Sequence, residues 1–257
     1  MIFAALRDAL RADAPVALAT VVEGPHPGAK LLVRPGQEPL GSLGDAELDR
    51  VVARDAQGEL EAGLTGTRHY GLHGEARQRE VSVFIESFAL PPRMIIFGAV
   101  DFTAALAKVA KVLGYRVTVV DARKVFANQE RFPEADEVVV QWPNEFLETA
   151  PISRRTAIVI LTHDPKFDIP ILEFALKSPV GYLGAMGSRR THEKRKANLR
   201  EIGVTDEQME RIHAPLGLDL GARTPEETAV SIMAQIIAMR TGRSGGHLDE
   251  ASGRIHA

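Results

Sequence analysis

The residues of this chain best suited to bind a ligand are Gly184, Gly187, Ser188, Arg189 and Arg190, which follow a short apolar run. The glycines allow a tight turn, and Ser188 is a typical helix-capping residue. Arg189 and Arg190 would then lie in the first turn of a helix, where positive charge opposes the helix dipole. An anion bound between these arginines and the free backbone N–H groups would remove that conflict. The alternative is that the arginines are solvated and the glycines only form a turn.

The charge of this segment contrasts with that of the whole chain. Residues 189–200 hold six Lys or Arg residues against one acidic residue, Glu193, whereas the chain of 257 residues has a formal net charge of -3. The net charge argues against a general nucleic-acid binder. The local basic surface suits a small anionic ligand or an acidic partner.

A second polar group, Thr162, His163 and Asp164, ends an apolar run that we predict to be a strand. In open α/β sheets the carboxyl ends of the strands face the ligand, so we predict that these three residues bind a cofactor. We assign Asp168 a structural role instead, as the N-cap of a helix that begins at Ile169. The spacing of these groups is a weak metal signature, and we predict no metal site.

The turn at Gly98 occupies the place where a dinucleotide-binding fold carries G-x-G-x-x-G. Gly98 is the first glycine of that pattern and is a candidate cofactor-binding residue. Val100 stands where the second glycine lets the backbone approach a pyrophosphate, and Asp101 adds a negative charge near the helix N-terminus. Ordinary NAD(P) binding is therefore doubtful.

Asp121 ends the next predicted strand, about 20 residues further on, where a ribose-binding carboxylate is expected. It could equally be a strand-end turn residue that forms an ion pair with Arg123. We keep both Asp121 and Arg123 as candidate cofactor-binding residues. No catalytic residue is predicted.

A loop rich in Pro and Gly follows His213, and either His213 or Asp219 could reach into a ligand crevice. A tight connector in which Asp219 only shapes the turn is an equal alternative. The other histidines show no ligand spacing, and we expect surface positions for them: His26, His69, His73, His192, His247 and His256.

From Arg93 onward, apolar runs alternate with helical patterns. Expected strands span 94–97, 116–120, 137–140, 157–161 and 180–183, and helices span 102–113, 144–150 and 169–177. Near-continuous apolar strands are typical of a parallel sheet that is buried on both faces. With right-handed crossovers, this pattern predicts an α/β fold with a Rossmann-like doubly wound parallel sheet over residues 93–242.

Residues 1–90 have a different texture, with short strand-like runs broken by Gly and Pro and with helical patterns at 2–11 and 45–56. They predict a smaller α+β domain. Pro91 and Pro92 mark the boundary between the two domains, since neither residue can donate a backbone hydrogen bond. Residues 243–257 are expected to form a mobile tail.

The chain contains no cysteine, which excludes disulfides, zinc–thiolate sites and a cysteine nucleophile within this polypeptide. We detect no signal peptide and no apolar run of membrane length, so a cytoplasmic protein without membrane contact is expected.

Several segments together resemble the XdhC/CoxI family, the xanthine dehydrogenase accessory factors. The likeness is strongest between about residues 93 and 240, where unrelated loops agree in order and spacing. The segments that carry it are Val119-Val-Asp-Ala-Arg123, Arg131-Phe-Pro133, Leu161-Thr-His-Asp164, Tyr182-Leu-Gly-Ala-Met-Gly-Ser-Arg-Arg190 and Ala214-Pro-Leu-Gly-Leu-Asp-Leu-Gly-Ala-Arg-Thr-Pro-Glu-Glu227.

This resemblance implies a small N-terminal domain and a C-terminal Rossmann domain. It also implies a non-catalytic chaperone that binds molybdenum cofactor (molybdopterin), protects it during sulfuration and delivers it to a molybdenum hydroxylase apoenzyme. That enzyme would be of the xanthine dehydrogenase or carbon monoxide dehydrogenase type. A cysteine desulfurase as a further partner and a homodimer are expected on the same ground. A pterin phosphate would suit the site formed by Gly187, Ser188 and Arg189.

The chain departs from the family at two places. It keeps Gly28-Ala-Lys30 and Gly41-Ser-Leu-Gly44, but Glu47 stands where relatives carry a cysteine. The family's Gly-rich turn is replaced around Val100. An NAD(P)-binding oxidoreductase or nucleotide-binding sensor is therefore the alternative function, and a scaffold that only binds a partner enzyme is the third.

Overall fold

The computed structural model describes residues 1–252 and divides the chain into two compact units, Met1–Leu90 and Pro91–Ala257. Of the expected tail, residues 243–252 contain no helix or strand. Residues 253–257, and His256 with them, lie outside the described residues. Within residues 1–252 no helix is long and apolar enough to cross a membrane.

The first unit is an antiparallel five-stranded sheet of order β3-β2-β1-β5-β4, accompanied by helices. Its elements are α1 (Ile2–Arg11), β1 (Val16–Glu23), β2 (Lys30–Val33), β3 (Leu40–Ser42), α2 (Ala46–Ala62), β4 (Gly66–Tyr70) and β5 (Val81–Phe88). The helix expected at 2–11 is confirmed, and the one expected at 45–56 continues for one and a half turns more.

Alternating side chains of β1 bury both faces of this sheet. Ala17 and Ala19 belong to the apolar cluster that includes Leu48 and Val52 of α2. Val16 and Leu18 belong to a separate cluster against α1. Because neighbouring residues of a strand point to opposite faces, one strand contributes to both clusters.

The second unit is a six-stranded sheet of order β11-β10-β9-β6-β7-β8, and each pair of neighbouring strands is parallel. Its strands are β6 (Arg93–Phe97), β7 (Arg116–Val120), β8 (Glu137–Val139), β9 (Thr156–Ile160), β10 (Tyr182–Ala185) and β11 (Ile212–His213). Its helices are α3 (Asp101–Val112), α4 (Pro143–Thr149), α5 (Pro165–Lys177), α6 (Arg189–Glu201), α7 (Asp206–Met209) and α8 (Pro225–Thr241).

This strand order confirms the predicted doubly wound Rossmann-like fold. The chain runs outward from β6 through β7 to β8, then crosses to the other side of β6 to form β9. The reversal creates a crevice at the carboxyl ends of β6 and β9, the place where such sheets bind ligands.

Apolar clusters cover both faces of the parallel sheet. Val159 of β9 packs with residues of α3 and α8 on one face. Its neighbours Ile158 and Ile160 pack with residues of α5 on the other face. Both faces are therefore buried, as the near-continuous apolar strands predict.

Two boundaries differ from the expectation. Helix α5 begins at Pro165, four residues before the expected start, because Asp164 caps it by accepting from the Lys166 N–H at 3.1 Å. Strand β10 spans Tyr182–Ala185 and not 180–183. Gly184 thus belongs to a strand, where it pairs with Val159 of β9 and His213 of β11.

Candidate functional site

The start of α6 has the geometry that the sequence predicts. The Ser188 hydroxyl accepts from the Thr191 N–H at 3.1 Å and caps the helix. Ser188, Arg189 and Arg190 are exposed. The N–H groups of the first turn have no carbonyl partner inside a helix, so this end carries free donors and positive potential. An anion can therefore reach this turn from solvent.

Gly184 has another role than the predicted one. It is buried, and a Cβ at this position would lie 2.7 Å from the Tyr182 ring. The missing side chain gives the space above the strand to that ring, so Gly184 does not line an open site. Tyr182 in turn stacks on His213 and donates to the Gln235 side-chain oxygen at 2.7 Å.

Asp168 is not the helix N-cap that the sequence predicts. It lies in the first turn of α5, is 1% exposed, and accepts from Nε and Nη2 of Arg195 at 2.9 and 2.7 Å. Burial raises the pKa of Asp168, while the Thr162 hydrogen bond and Arg195 act in the opposite direction. The cap of α5 is Asp164, whose carboxylate is thereby engaged.

The three residues after β9 have different surroundings. The Thr162 hydroxyl donates to Asp168 and connects the carboxyl end of β9 to the buried ion pair. His163 is exposed, and Asp164 also lies 3.4 Å from the Lys166 amine. In the described part of the chain, no group of three or more His, Asp or Glu side chains is placed to hold a metal ion.

Gly98 and Thr162 meet at the switch point between β6 and β9. Gly98 has φ +112°, and a Cβ there would lie 3.0 Å from the Thr162 methyl carbon and 3.1 Å from its backbone nitrogen. A glycine is required at this crossing, since any side chain would be strained and crowded. The predicted position of Gly98 in the crevice thus agrees with the strand order.

Asp121 forms the ion pair with Arg123 that is one of the two alternatives the sequence allows. It is 4% exposed; one oxygen accepts from the Ala99 N–H and Arg123 Nη2, both at 2.8 Å, and the other from the Arg123 N–H and Nε, both at 2.9 Å. Burial alone would raise the pKa of Asp121, but these hydrogen bonds hold it below its ordinary value. Ribose binding by Asp121 stays a prediction and would have to displace one of these donors.

Basic and aromatic side chains surround the same edge of the sheet. Arg123 lies 4.6 Å from the ring centroid of Phe126, which is 40% exposed. Arg131 donates to the Ala99 carbonyl at 3.2 Å and lies 3.7 Å from the Asp101 carboxylate. Asp101 is exposed in the first turn of α3, so a negative charge stands where a pyrophosphate would bind.

Two histidines differ from their expected environments. His192 is 8% exposed and not a surface residue, and burial lowers its pKa. His213, in β11, is half-buried and stacks on Tyr182 with ring centroids 5.3 Å apart. Asp219 is exposed. Sequence spacing gives no signal for either contact, because each depends on residues distant in the chain.

A separate cavity of ≈ 140 Å³ lies within the first unit. His26, Asp45 and His73 contribute its polar walls, and His73 Nδ1 lies 2.8 Å from the Asp45 carboxylate. The hydrogen bond to Asp45 raises the pKa of His73. Glu47 is exposed in the first turn of α2 and pairs with Arg50 at 2.8 Å.

Comparisons with known proteins agree with this architecture. The family model for the XdhC Rossmann domain matches residues 94–236, and the model for the XdhC and CoxI family matches residues 9–71. A Bacillus halodurans protein whose crystal structure is described as that of a xanthine dehydrogenase has the same fold. Its TM-score is 0.54 at 22% identity, over 96% of both chains.

Curated relatives are similar over parts of their length. Uncharacterized protein YqeB of Escherichia coli (strain K12) is 28% identical over 91% of this chain and 45% of its own length. A probable xanthine dehydrogenase subunit of Bacillus subtilis (strain 168) is 30% identical over 66% and 49%. Molybdenum cofactor insertion chaperone PaoD of Escherichia coli (strain K12) is 37% identical over 36% and 29%.

The chain thus spans about half the length of the first two of these relatives, or less in the case of PaoD. The match to the XdhC Rossmann domain alone covers more than half of this chain, and the second model covers much of the first unit. The chain therefore belongs to the XdhC/CoxI family.

Proposed function

We propose that this protein is an accessory factor that binds molybdenum cofactor as cargo and delivers it to a molybdenum hydroxylase apoenzyme. One observation carries the proposal: the turn from Gly187 to Arg190 presents exposed cations and free helix N–H groups to solvent. An anionic pterin phosphate fits such a turn. The printed name of PaoD, a relative over 36% of the chain, supports the same cargo.

The proposed cargo lies in the crevice at the carboxyl ends of β6 and β9. Gly98 and Thr162 form the base of this crevice, and Arg189 supplies positive charge at its outer edge. The protein binds and orients the cargo and carries out no catalytic step. Since the chain has no cysteine, no thiolate of this polypeptide contacts molybdenum or sulfur.

The proposal includes several partners and conditions. The target is an apoenzyme of the xanthine dehydrogenase or carbon monoxide dehydrogenase type, a cysteine desulfurase supplies sulfur to the bound cargo, and the factor acts as a cytoplasmic homodimer. NAD(P) is not part of the proposal, because the Asp101 carboxylate opposes a pyrophosphate at the start of α3.

Anaerobic titration of the purified chain with molybdenum cofactor tests the binding step. We expect saturable binding that Arg189→Ala weakens several-fold, because one cation beside the bound anion is lost. Arg200→Ala is the matched control, since Arg200 is an exposed cation near the other end of α6. No saturable binding by the wild-type chain would overturn the proposal.

A transfer assay tests the delivery step. The loaded protein is mixed with an apo xanthine dehydrogenase, and the appearance of hydroxylase activity is followed against free cofactor at the same concentration. We expect faster and more complete activation by the loaded protein. Equal activation by free cofactor would contradict delivery. A parallel titration with NADH separates this proposal from the nucleotide-binding alternative, and saturable NADH binding would favour that alternative.

A further inference from the structure

Arg195 is a buried cation with an unused hydrogen-bonding group. It lies in the second turn of α6 and is 3% exposed. Its Nε and Nη2 donate to Asp168, and Nη2 also donates to the Met186 carbonyl at 2.6 Å. Among the residues that the structure describes, Nη1 has no hydrogen-bond partner.

An unpaired donor of this kind is unusual. Most buried polar groups in proteins have a partner, and a charged donor without one loses its hydration and gains nothing in return. The other donors of the same guanidinium are engaged, so the side chain is well fixed. A fixed, charged and unpaired N–H group suits a ligand that arrives later.

The free Nη1 lies at the proposed anion site. A Cβ built on Gly187 would be 3.4 Å from Nη1 and 3.2 Å from the Thr191 side chain. The Thr191 hydroxyl lies 3.0 Å from that of Ser188, so the Thr191 side chain covers this space. Gly187 has φ +139°, and the absence of a side chain keeps the space between Thr191 and Arg195 unfilled.

We propose that Arg195 is a ligand-binding residue whose Nη1 donates to the phosphate monoester group of the ligand at the start of α6. The Thr191 side chain turns aside when the phosphate enters, and the phosphate then accepts from Nη1 and from the free N–H groups of the helix. This inference rests on the proposed function for the identity of the cargo, but the phosphate site itself does not depend on it.

Phosphate is the ligand group that the donors favour. A phosphate monoester presents three acceptor oxygens and up to two negative charges, which can contact a guanidinium and a helix N-terminus together. Asp168 and Thr162 act as positioning residues, because they hold the guanidinium through Nε and Nη2 and leave Nη1 toward Gly187.

Calorimetric titration of the full chain with inorganic phosphate and with molybdenum cofactor tests the role of Arg195. We expect Arg195→Lys to raise both dissociation constants by about tenfold or more, since one charge-assisted hydrogen bond is lost. Arg200→Lys is the matched control, because Arg200 on the same helix pairs with Asp206 through the same Nε and Nη2 atoms but is exposed. Equal affinities for both variants would overturn the inference.

A second pair of variants covers the case in which Arg195→Lys does not fold. Gly187→Ala places a methyl group between Thr191 and Nη1, and we expect it to weaken phosphate binding by a similar factor. Gly203→Ala is its control: Gly203 follows α6 with φ +85° and has open space around its Cβ position. Both variants carry backbone strain, so a loss confined to Gly187→Ala reports the occupied space. Unchanged binding in both would contradict the phosphate site.

The results separate this inference from the proposed function. If the wild-type chain and Arg195→Lys bind molybdenum cofactor equally, the Arg195 role fails and the accessory function stands. If the wild-type chain binds phosphate through Arg195 but not molybdenum cofactor, the phosphate site stands and the proposed cargo is wrong. Displacement of phosphate by AMP, in place of the cofactor, would identify a nucleotide as the source of the phosphate group.

Discussion

Arg195 and Asp168 form an ion pair whose side chains are only 3% and 2% exposed. Arg200 and Asp206 form a pair with the same atoms at the same 2.7 Å distance, but their side chains are 52% and 77% exposed. The first pair joins α5 to α6 below the start of α6, whereas the second joins α6 to α7 at the surface. The two pairs allow a direct comparison of burial at constant chemistry.

We expect Asp168→Asn to lower the free energy of unfolding by about 3–5 kcal/mol, because it leaves a buried guanidinium without its counter-charge. Asp206→Asn should change it by about 1 kcal/mol or less. Urea denaturation followed by circular dichroism measures both values. Similar losses in the two variants would show that the Arg195 pair is solvated.

His73 and Asp45 should titrate as a linked pair. The hydrogen bond from His73 lowers the pKa of Asp45 together with the N–H groups of α2, and Asp45 raises the pKa of His73 above 6.5. Two-dimensional NMR of the imidazole signals measures the latter value directly. Asp45→Asn keeps an N-capping side chain but removes the charge, so we expect the His73 pKa to return toward 6.5. An unchanged pKa in that variant would argue against the pair.

His213 should titrate in the opposite direction, since burial lowers its pKa below 6.5. The unfolded chain then binds a proton more readily than the folded chain, so this contribution to stability is present above pH 6.5 and is lost as the pH falls. We expect His213→Phe, which can still stack on Tyr182, to lose less stability than the wild type between pH 7.5 and 5.5. Chemical denaturation at the two pH values checks this. A larger loss in the variant would contradict the prediction.

Gly184→Ala should destabilise the second unit by about 1–3 kcal/mol, because its Cβ would lie 2.7 Å from the Tyr182 ring and force that ring to move. Gly66→Ala is a suitable control, since Gly66 also lies in a strand but has open space at its Cβ position. Thermal unfolding of both variants gives the comparison. Equal melting temperatures would show that Tyr182 moves at no cost.

Glu47→Cys tests whether the residue that relatives carry is needed here. Glu47 is exposed and makes only a surface ion pair, so we expect a change of about 0.5 kcal/mol or less in the free energy of unfolding. If the cargo is bound without a thiolate, its affinity should stay within about twofold of the wild type. Anaerobic titration with molybdenum cofactor measures this, and markedly tighter binding would show that the first unit takes part in binding.

Local patterns in the sequence predict much of this fold. The Ser188 cap, the Thr205 and Thr224 capping boxes, and the strand–helix alternation depend on residues within a few positions of one another. The Rossmann topology follows from the alternation and the handedness of crossovers. The predicted start of α5 is too late because Asp164 and Asp168 are both plausible caps, and spacing alone does not choose between them.

The contacts that define the site depend on distant residues. Asp168 and Arg195 are separated by 27 positions, and Tyr182 and Gln235 by 53. In the sequence Arg195 is one of several cations on a basic helix, and only packing shows that it is buried. The surface position predicted for His192 is wrong for the same reason. A sequence contains residue types and spacing, but burial and pairing of this kind are decided when the helices pack.

The basic helix α6 carries two kinds of positive charge, with Arg189 and Arg190 exposed to solvent and Arg195 enclosed. Dissolved ions screen exposed charges over about 8–10 Å but reach enclosed ones far less. Raising the ionic strength should therefore slow the capture of an anion at this helix while leaving its dissociation rate nearly unchanged. Helix α6 thereby assigns the encounter with an anion and its retention to different arginines.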